Sequence, residues 1–219
     1  MTRQLLPLLL AACSCLGPAQ SRDRQGAEQE ASSRPVIVLI GPAGAGKSTQ
    51  AEFLKKKYGF AVISAEQLIE ADPALLARSK QPEIHGVDPR TDPALNKIFA
   101  KVIEKTDTSK GLVLDGYPAT KDHADFLAAR AKERGLSRHL VIHLLIPDDA
   151  ARQRIKDRIP AKVEQALKDY HRELDFVKLY YPDADIHEID GTATPDAVSK
   201  AIAALVDARL KSAPKGAAK

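Results

Sequence analysis

The sequence predicts an α/β protein of three layers, α/β/α, built on a five-stranded parallel sheet. Two observations carry that expectation. From Arg34 onward, short apolar runs alternate with stretches whose apolar residues recur at helical spacing, the signature of a parallel sheet covered by helices. The runs are also continuous rather than alternating, as strands buried on both faces should be. They are Val36–Ile40, Phe60–Ile63, Leu112–Leu114, Leu140–Ile146 and Ile186–Ile189, each bounded by Gly, Pro, Ser or Asp.

The helical stretches between them follow the same logic. Leu95, Ile98, Phe99, Val102 and Ile103 fall on one helix face, as do Val163, Leu167, Tyr170, Leu174 and Val177, and then Val198, Ile202, Leu205 and Val206. Helix starts are legible where a capping side chain precedes a proline, at Asp72 with Pro73, Asp92 with Pro93 and Thr194 with Pro195. Five strands and about eight helices in one domain over residues 34–210 are expected, with residues 211–219 a disordered tail.

Composition narrows the function class. A chain of 219 residues with 44% hydrophobic and 28% charged residues suits one globular domain with a substantial core. The net charge of +4 is a modest basic excess, and no basic stretch is interleaved with base-stacking aromatics, so nucleic acid is not an expected partner. Both cysteines, Cys13 and Cys15, precede the domain, which excludes a disulfide framework or catalytic thiol within it. The six histidines are read as surface or core residues, with His123 the exception.

The N-terminus reads as an address. Arg3 followed by a leucine-rich run and small residues has the form of a secretory signal over residues 1–19, too short to serve as a transmembrane span. Cleavage after Ala19 and a bacterial-type lipobox ending at Cys13 are both open, the second giving a lipid anchor. Residues 20–33 read as a flexible linker. Export to a periplasm or to the outside is the expectation; a mis-assigned start codon, which would leave the domain cytoplasmic, is the alternative.

The chemistry begins at Gly41–Thr49, GPAGAGKST, which fits G-x-x-x-x-G-K-[ST] after an apolar run and before an amphipathic helix from Ser48 to Tyr58. Glycines let successive main-chain N–H groups turn inward on phosphate oxygens, and the helix N-terminus adds its partial positive charge there. Gly41, Ala43, Gly44, Ala45, Gly46, Lys47, Ser48 and Thr49 are thus the candidate nucleotide-binding residues, with Lys47 reaching the β- and γ-phosphates and the Ser48 hydroxyl placed for Mg²⁺. Asp115, closing the run Leu112–Leu114, is the second candidate metal ligand. A purine nucleoside triphosphate, ATP with Mg²⁺, is the expected ligand.

These residues resemble the adenylate kinase family. The segment Gly41–Ala51, the Asp115–Pro118 segment DGYP, the Ile189–Thr192 segment IDGT and the helix bearing Arg154 and Arg158 occur in the family's order. The resemblance spans about Val36 to Leu210. It implies the P-loop version of the fold, with a small monophosphate-binding arm over residues 64–93 and a lid near 155–162. It also implies that Arg154 and Arg158 act as catalytic cations on the triphosphate beside Lys47. The lid is the short form, with no room for a zinc-binding insert between Arg158 and Val163.

Departures cluster on the acceptor side. Where the family carries arginines on the acceptor monophosphate, this chain has Glu70, Ala119 and Ala166, and its adenine-reading glutamine is replaced by His123. Lys121 and Arg90 are the available substitutes. The expected partners are therefore a nucleoside triphosphate and a small phosphorylated acceptor, with AMP doubtful and the chain acting as a monomer. Phosphotransfer leads; nucleotide binding without transfer, and plain hydrolysis, are the other readings.

Overall fold

In the computed structural model the described residues are 34–79, 89–182 and 185–211. The signal, the lipobox cysteine, the linker, most of the tail and residues 80–88 of the expected arm lie outside them. The described elements run β1 (Arg34–Ile40), α1 (Lys47–Tyr58), β2 (Ala61–Ser64), α2 (Ala65–Glu70), α3 (Pro73–Ser79), a 3-10 turn (Pro89–Thr91), α4 (Ala94–Lys105) and β3 (Leu112–Asp115). They continue with α5 (Lys121–Glu133), β4 (Leu136–Leu145), α6 (Asp148–Ile155), a 3-10 turn (Pro160–Lys162), α7 (Val163–Tyr180), β5 (Ile186–Asp190) and α8 (Pro195–Lys211).

The five strands form one parallel sheet in the order β2-β3-β1-β4-β5, as expected. β1 sits at its centre, between β3 on one side and β4 on the other, so the chain changes direction across the sheet at the carboxyl end of β1. Ligands of open α/β sheets bind at such a switch point.

Alternate residues of β1 supply two cores. Val36, Val38 and Ile40 pack with α2, α3, α4, α5 and α7, whereas Ile37 and Leu39 pack with α1, α6 and α8. A strand buried on both faces has no polar side to show, which explains the continuous apolar run.

Two of the three expected helix starts stand as read, α3 at Pro73 and α8 at Pro195, while α4 opens one residue late, at Ala94, with Pro93 in place of Asp92 as its N-cap. Asp72 Oδ1 accepts from the N–H groups of Ala74 and Leu75 at 2.9 and 3.0 Å, Asp92 Oδ1 from Ala94 at 2.8 Å, and Thr194 Oγ1 from Ala197 at 3.3 Å. Ser64 and Gln67 form a reciprocal capping box at the start of α2, with bonds of 3.1 and 3.2 Å. The one strand whose bounds move appreciably is β4. It starts at Leu136, not Leu140, because backbone pairing with Arg34 and Pro35 extends it through polar residues that an apolar-run reading passes over.

Buried histidines tie this fold to pH. Desolvation on burial lowers the pKa of His123, His139 and His143 below the ordinary value of 6.5. The folded state therefore resists a proton that the unfolded chain accepts. Stability is complete above the unfolded value and falls as pH drops through 6.5 toward the folded values. Thermal denaturation from about pH 7.5 to about pH 5.5 should show a falling midpoint, with His143→Gln flattening the slope. A midpoint constant across that range would show that the three rings titrate normally.

Candidate active site

The phosphate loop leaves β1 at Ile40 and re-enters regular structure at Lys47. Its last residue before α1, Gly46, is left-handed at φ 97°, and nothing stands within 4 Å of where a Cβ would be. The loop therefore presents an open face at Gly46. The first bond of the new helix runs from Gln50 N–H to Gly46 O at 3.1 Å. The N–H groups of Lys47, Ser48 and Thr49 precede any intrahelical acceptor and belong to the orphan donors of the helix start. Those groups, with the helix dipole behind them, make the face a site for an anion.

Two side chains complete it. Lys47 Nζ donates to Gly41 O at 2.7 Å and to Pro42 O at 3.3 Å, so the ammonium is folded over the loop. The exposed Ser48 hydroxyl donates to Asp115 Oδ2 at 2.9 Å. Asp115 ends β3 level with Leu39 of β1, which brings the two oxygens together beside the loop. A hydroxyl and a carboxylate are the hard oxygen donors Mg²⁺ prefers, and this ion usually takes only one or two protein ligands, phosphates and water filling the rest. The set fits. Ala43 and Gly44 form the half-buried turn of the loop, Ala45 is buried beneath it, and Thr49 is exposed on the first turn of α1.

The two lid arginines part company. Arg154 Nη1 donates to Gly44 O and Gly191 O, both at 3.1 Å, pinning α6 to the phosphate loop and to the turn after β5. The base of its side chain is close as well: a Cβ on Gly44, whose φ is +82°, would lie 2.9 Å from Arg154 Cβ. Arg158 is exposed, in the seven-residue connection between α6 and α7. Arg152, which the sequence reading passes over, braces that connection by bonding Glu164 at 2.7 Å and Asp149 at 2.8 Å.

On the acceptor side the substitutes are already engaged. Lys121 pairs with Asp125 one turn along α5, on the surface. Arg90 reaches α7, where Nη1 lies 3.3 Å from Glu173 Oε2 and Nη2 lies 4.0 Å from Asp169 Oδ2. Glu66 and Glu70 are exposed on α2, Ala119 is half-buried, and Ala166 is half-buried on α7. His123 has no exposure: Nε2 lies 3.0 Å from Asp92 O and the ring stacks on Tyr117 at 5.1 Å. His123 is thus packed inside the fold at the start of α5 and not presented to a ligand.

His139 and His143 stand four apart, a ligand spacing on a helix, but they lie on β4, where four residues span about 13 Å. His143 spends Nε2 on the Tyr170 hydroxyl at 2.7 Å. Among the described residues no cluster of three or more His, Cys, Asp or Glu could hold a metal, and no helix is long and apolar enough to cross a membrane.

Comparison with known proteins gives one family. The family model described as Adenylate kinase matches residues 39–186. An adenylate kinase of Mesorhizobium japonicum is 32% identical over 192 residues, covering 78% of this chain and 96% of that protein. One from Chelativorans is 30% identical over 185 residues, covering 76% and 95%, and one from Mycobacteroides abscessus 31% over 171 residues, covering 74% and 93%.

The two loop glycines should fail differently. Gly44→Ala forces a methyl onto Arg154 and is expected to lower stability by about 1–3 kcal/mol. Gly46→Ala has room for its methyl, should cost only about 1–2 kcal/mol of left-handed strain, and places that methyl on the open face. Denaturation with and without Mg·ATP separates them: Gly44→Ala loses midpoint in both, while Gly46→Ala chiefly loses the shift that nucleotide produces. Equal shifts in wild type and Gly46→Ala would mean that the open face is not where nucleotide sits.

Proposed function

The chain belongs to the adenylate kinase family, and on that premise we propose that it binds Mg·ATP and passes the γ-phosphate to a small acceptor. The observation that carries this reading is the Ser48–Asp115 contact at 2.9 Å beside the open face at Gly46, a paired oxygen set next to a ready anion cradle.

Each residue then has a task. Main-chain N–H groups of Gly44, Gly46, Lys47, Ser48 and Thr49 hold the phosphates, and Lys47 swings from its loop carbonyls onto the β- and γ-oxygens. Ser48 and Asp115 are the groups that would hold Mg²⁺, whose contribution is to neutralise charge on the triphosphate. Arg154 keeps the loop in shape through Gly44 O and Gly191 O, and the exposed Arg158 is the lid cation able to turn onto the γ-phosphate. An acceptor oxygen bonds to the γ-phosphorus as the bond to the β-bridging oxygen breaks, and the electron pair leaves on ADP. A phosphate acceptor needs no general base; for a hydroxyl acceptor, Glu66 or Glu70 takes the proton.

A specific observation favours a second reading, binding without transfer. Both candidate acceptor cations, Lys121 and Arg90, are ion-paired, and transfer of this type depends on positioning and charge neutralisation. Incubation with Mg·ATP and each common nucleoside monophosphate, with the nucleotides resolved by chromatography, decides between them. ADP plus a new diphosphate names the acceptor. ATP binding with no product from any of them leaves the second reading standing.

Lys47→Ala is expected to weaken ATP binding at least tenfold by calorimetry, about 1.4 kcal/mol. Unchanged affinity would remove the loop from the function. We also propose export, tested by the mass of the mature chain: a start at Gln20 marks cleavage, and a lipid-modified Cys13 marks anchoring.

A further inference from the structure

In a parallel sheet the crossover helices run back against the strands, so their C-termini collect at the edge where the strands begin, opposite the phosphate loop. Here that amino edge is basic. The last helical turns carry Lys55, Lys56 and Lys57 on α1, Lys105 on α4, Lys132 on α5 and Lys211 on α8. First turns at the other edge are acidic, with Asp122 on α5, Asp148 and Asp149 on α6 and Asp196 on α8.

One cation per helix end answers the helix dipole and needs no further explanation. This edge holds more. α1 ends in three lysines, and Lys110, in the loop before β3, lies against the end of that helix: a Cβ on Gly59 would be 2.9 Å from its Nζ. At the start of β1, Arg34 donates to Thr108 O and Gly135 O, both at 3.4 Å, and Arg134 donates to Thr106 O at 3.1 Å. Those carbonyls fix the guanidinium groups without cancelling their charge. The acids of this edge are largely spent. Glu52 pairs with Lys55 at 3.6 Å, Asp207 with Lys57 at 3.9 Å and Glu133 with Arg130 at 2.8 Å. Asp107 accepts from Ser109 N–H at 2.9 Å in the field of Lys110 and Arg34, and Glu104 is exposed beside Lys105. Lys56, Lys105 and Lys132 are exposed and enter no ion pair among the described residues.

These cations come from helices on both faces of the sheet, so they spread across the width of the domain around β1. An extended anionic surface matches that spread better than a small ion does. Leu210, 39% exposed in the last turn of α8, adds an apolar group at the same edge. Base-stacking aromatics are not interleaved with the lysines, which argues against nucleic acid. The chain also enters the domain here, at Arg34, from the segment that carries the leucine-rich run and Cys13.

We propose that the amino edge of the sheet docks on an anionic phospholipid membrane, leaving the phosphate loop at the opposite edge facing solvent. Lysines held within about 8 Å of such a surface are attracted to it, and salt screens that attraction. Docking of this kind is separate from phosphotransfer, because none of its residues lines the nucleotide site.

The test is vesicle flotation of the cleaved chain beginning at Gln20, which keeps every described residue and carries neither leader nor lipid. Mg·ATP binding in solution checks the fold of each variant. At about 50 mM salt, binding to phosphatidylglycerol vesicles should be at least tenfold tighter than to phosphatidylcholine vesicles, and about 0.5 M salt should erase the difference. Lys56→Glu with Lys132→Glu should weaken it at least tenfold. Lys97→Glu with Lys200→Glu makes the same change in charge at exposed positions nearer the other ends of α4 and α8, and should weaken it less than threefold. Equal affinity for the two lipids, equal losses in the two double variants, or retention on heparin without vesicle binding overturns the assignment. The lipid and salt comparisons on wild type decide the matter even where a variant fails to fold. Vesicle binding without ATP binding would sink the loop reading and leave the docking edge standing.

Discussion

Backbone amides have to converge on one point before this protein can hold a polyphosphate, and nearly every other feature of the domain serves that convergence. Amide dipoles are weak singly and strong when several aim together in a site whose donors need no reorganisation. The aim comes from a rigid strand stopped at the middle of the sheet, two loop glycines at positive φ, Gly44 and Gly46, and a helix whose first donors are orphaned. β1 is buried on both faces from Pro35 to Ile40, so the loop's starting point is fixed by two cores at once. Arg154 fixes the far side through two carbonyl oxygens. Lys47 rests its ammonium on the carbonyls of Gly41 and Pro42, acceptors that satisfy it beside several convergent amides.

Charge divides the site. Around the loop, donors outnumber acceptors, and the acidic Asp115 is directed at a hydroxyl. Around the acceptor side, the exposed Glu66 and Glu70 stand without added arginines, and Arg90 faces two carboxylates. A unit charge 4 Å away acts with about 4 kcal/mol at an effective dielectric near 20, enough to decide whether a dianion enters. The two halves of the site have thus been built to different electrostatic rules on one scaffold, which is why family membership and acceptor choice are separate questions here.

What could be read in the sequence follows from which signals are local. Strand runs, the caps at Asp72 and Thr194 and the turn between β1 and α1 are written in consecutive residues and stand where the pattern puts them, apart from the earlier start of β4. The nearness of Ser48 and Asp115 was legible because one opens the helix that follows β1 and the other closes an apolar strand run. Arg90 with Glu173 was not, being 83 residues apart with no periodicity to join them. The same holds for Arg152, whose partner Glu164 lies across a turn, and for His123, where sequence marks a position but not which way the ring faces.

The shortness of the lid bears on which of the remaining chemistries the site can favour. Residues 156–162 are all that join α6 to α7, and three of them form a 3-10 turn. Closing lids in such enzymes exclude water and complete the catalytic set. A seven-residue connection braced at its base by Arg152 has little chain to fold over a triphosphate and brings one exposed arginine, Arg158, to the task. Water is always the most abundant competitor for a γ-phosphate, so a small lid leaves more of its exclusion to the bound acceptor. An acceptor that fits poorly leaves the phosphate wet, and a phosphate left wet without a positioned nucleophile turns over slowly.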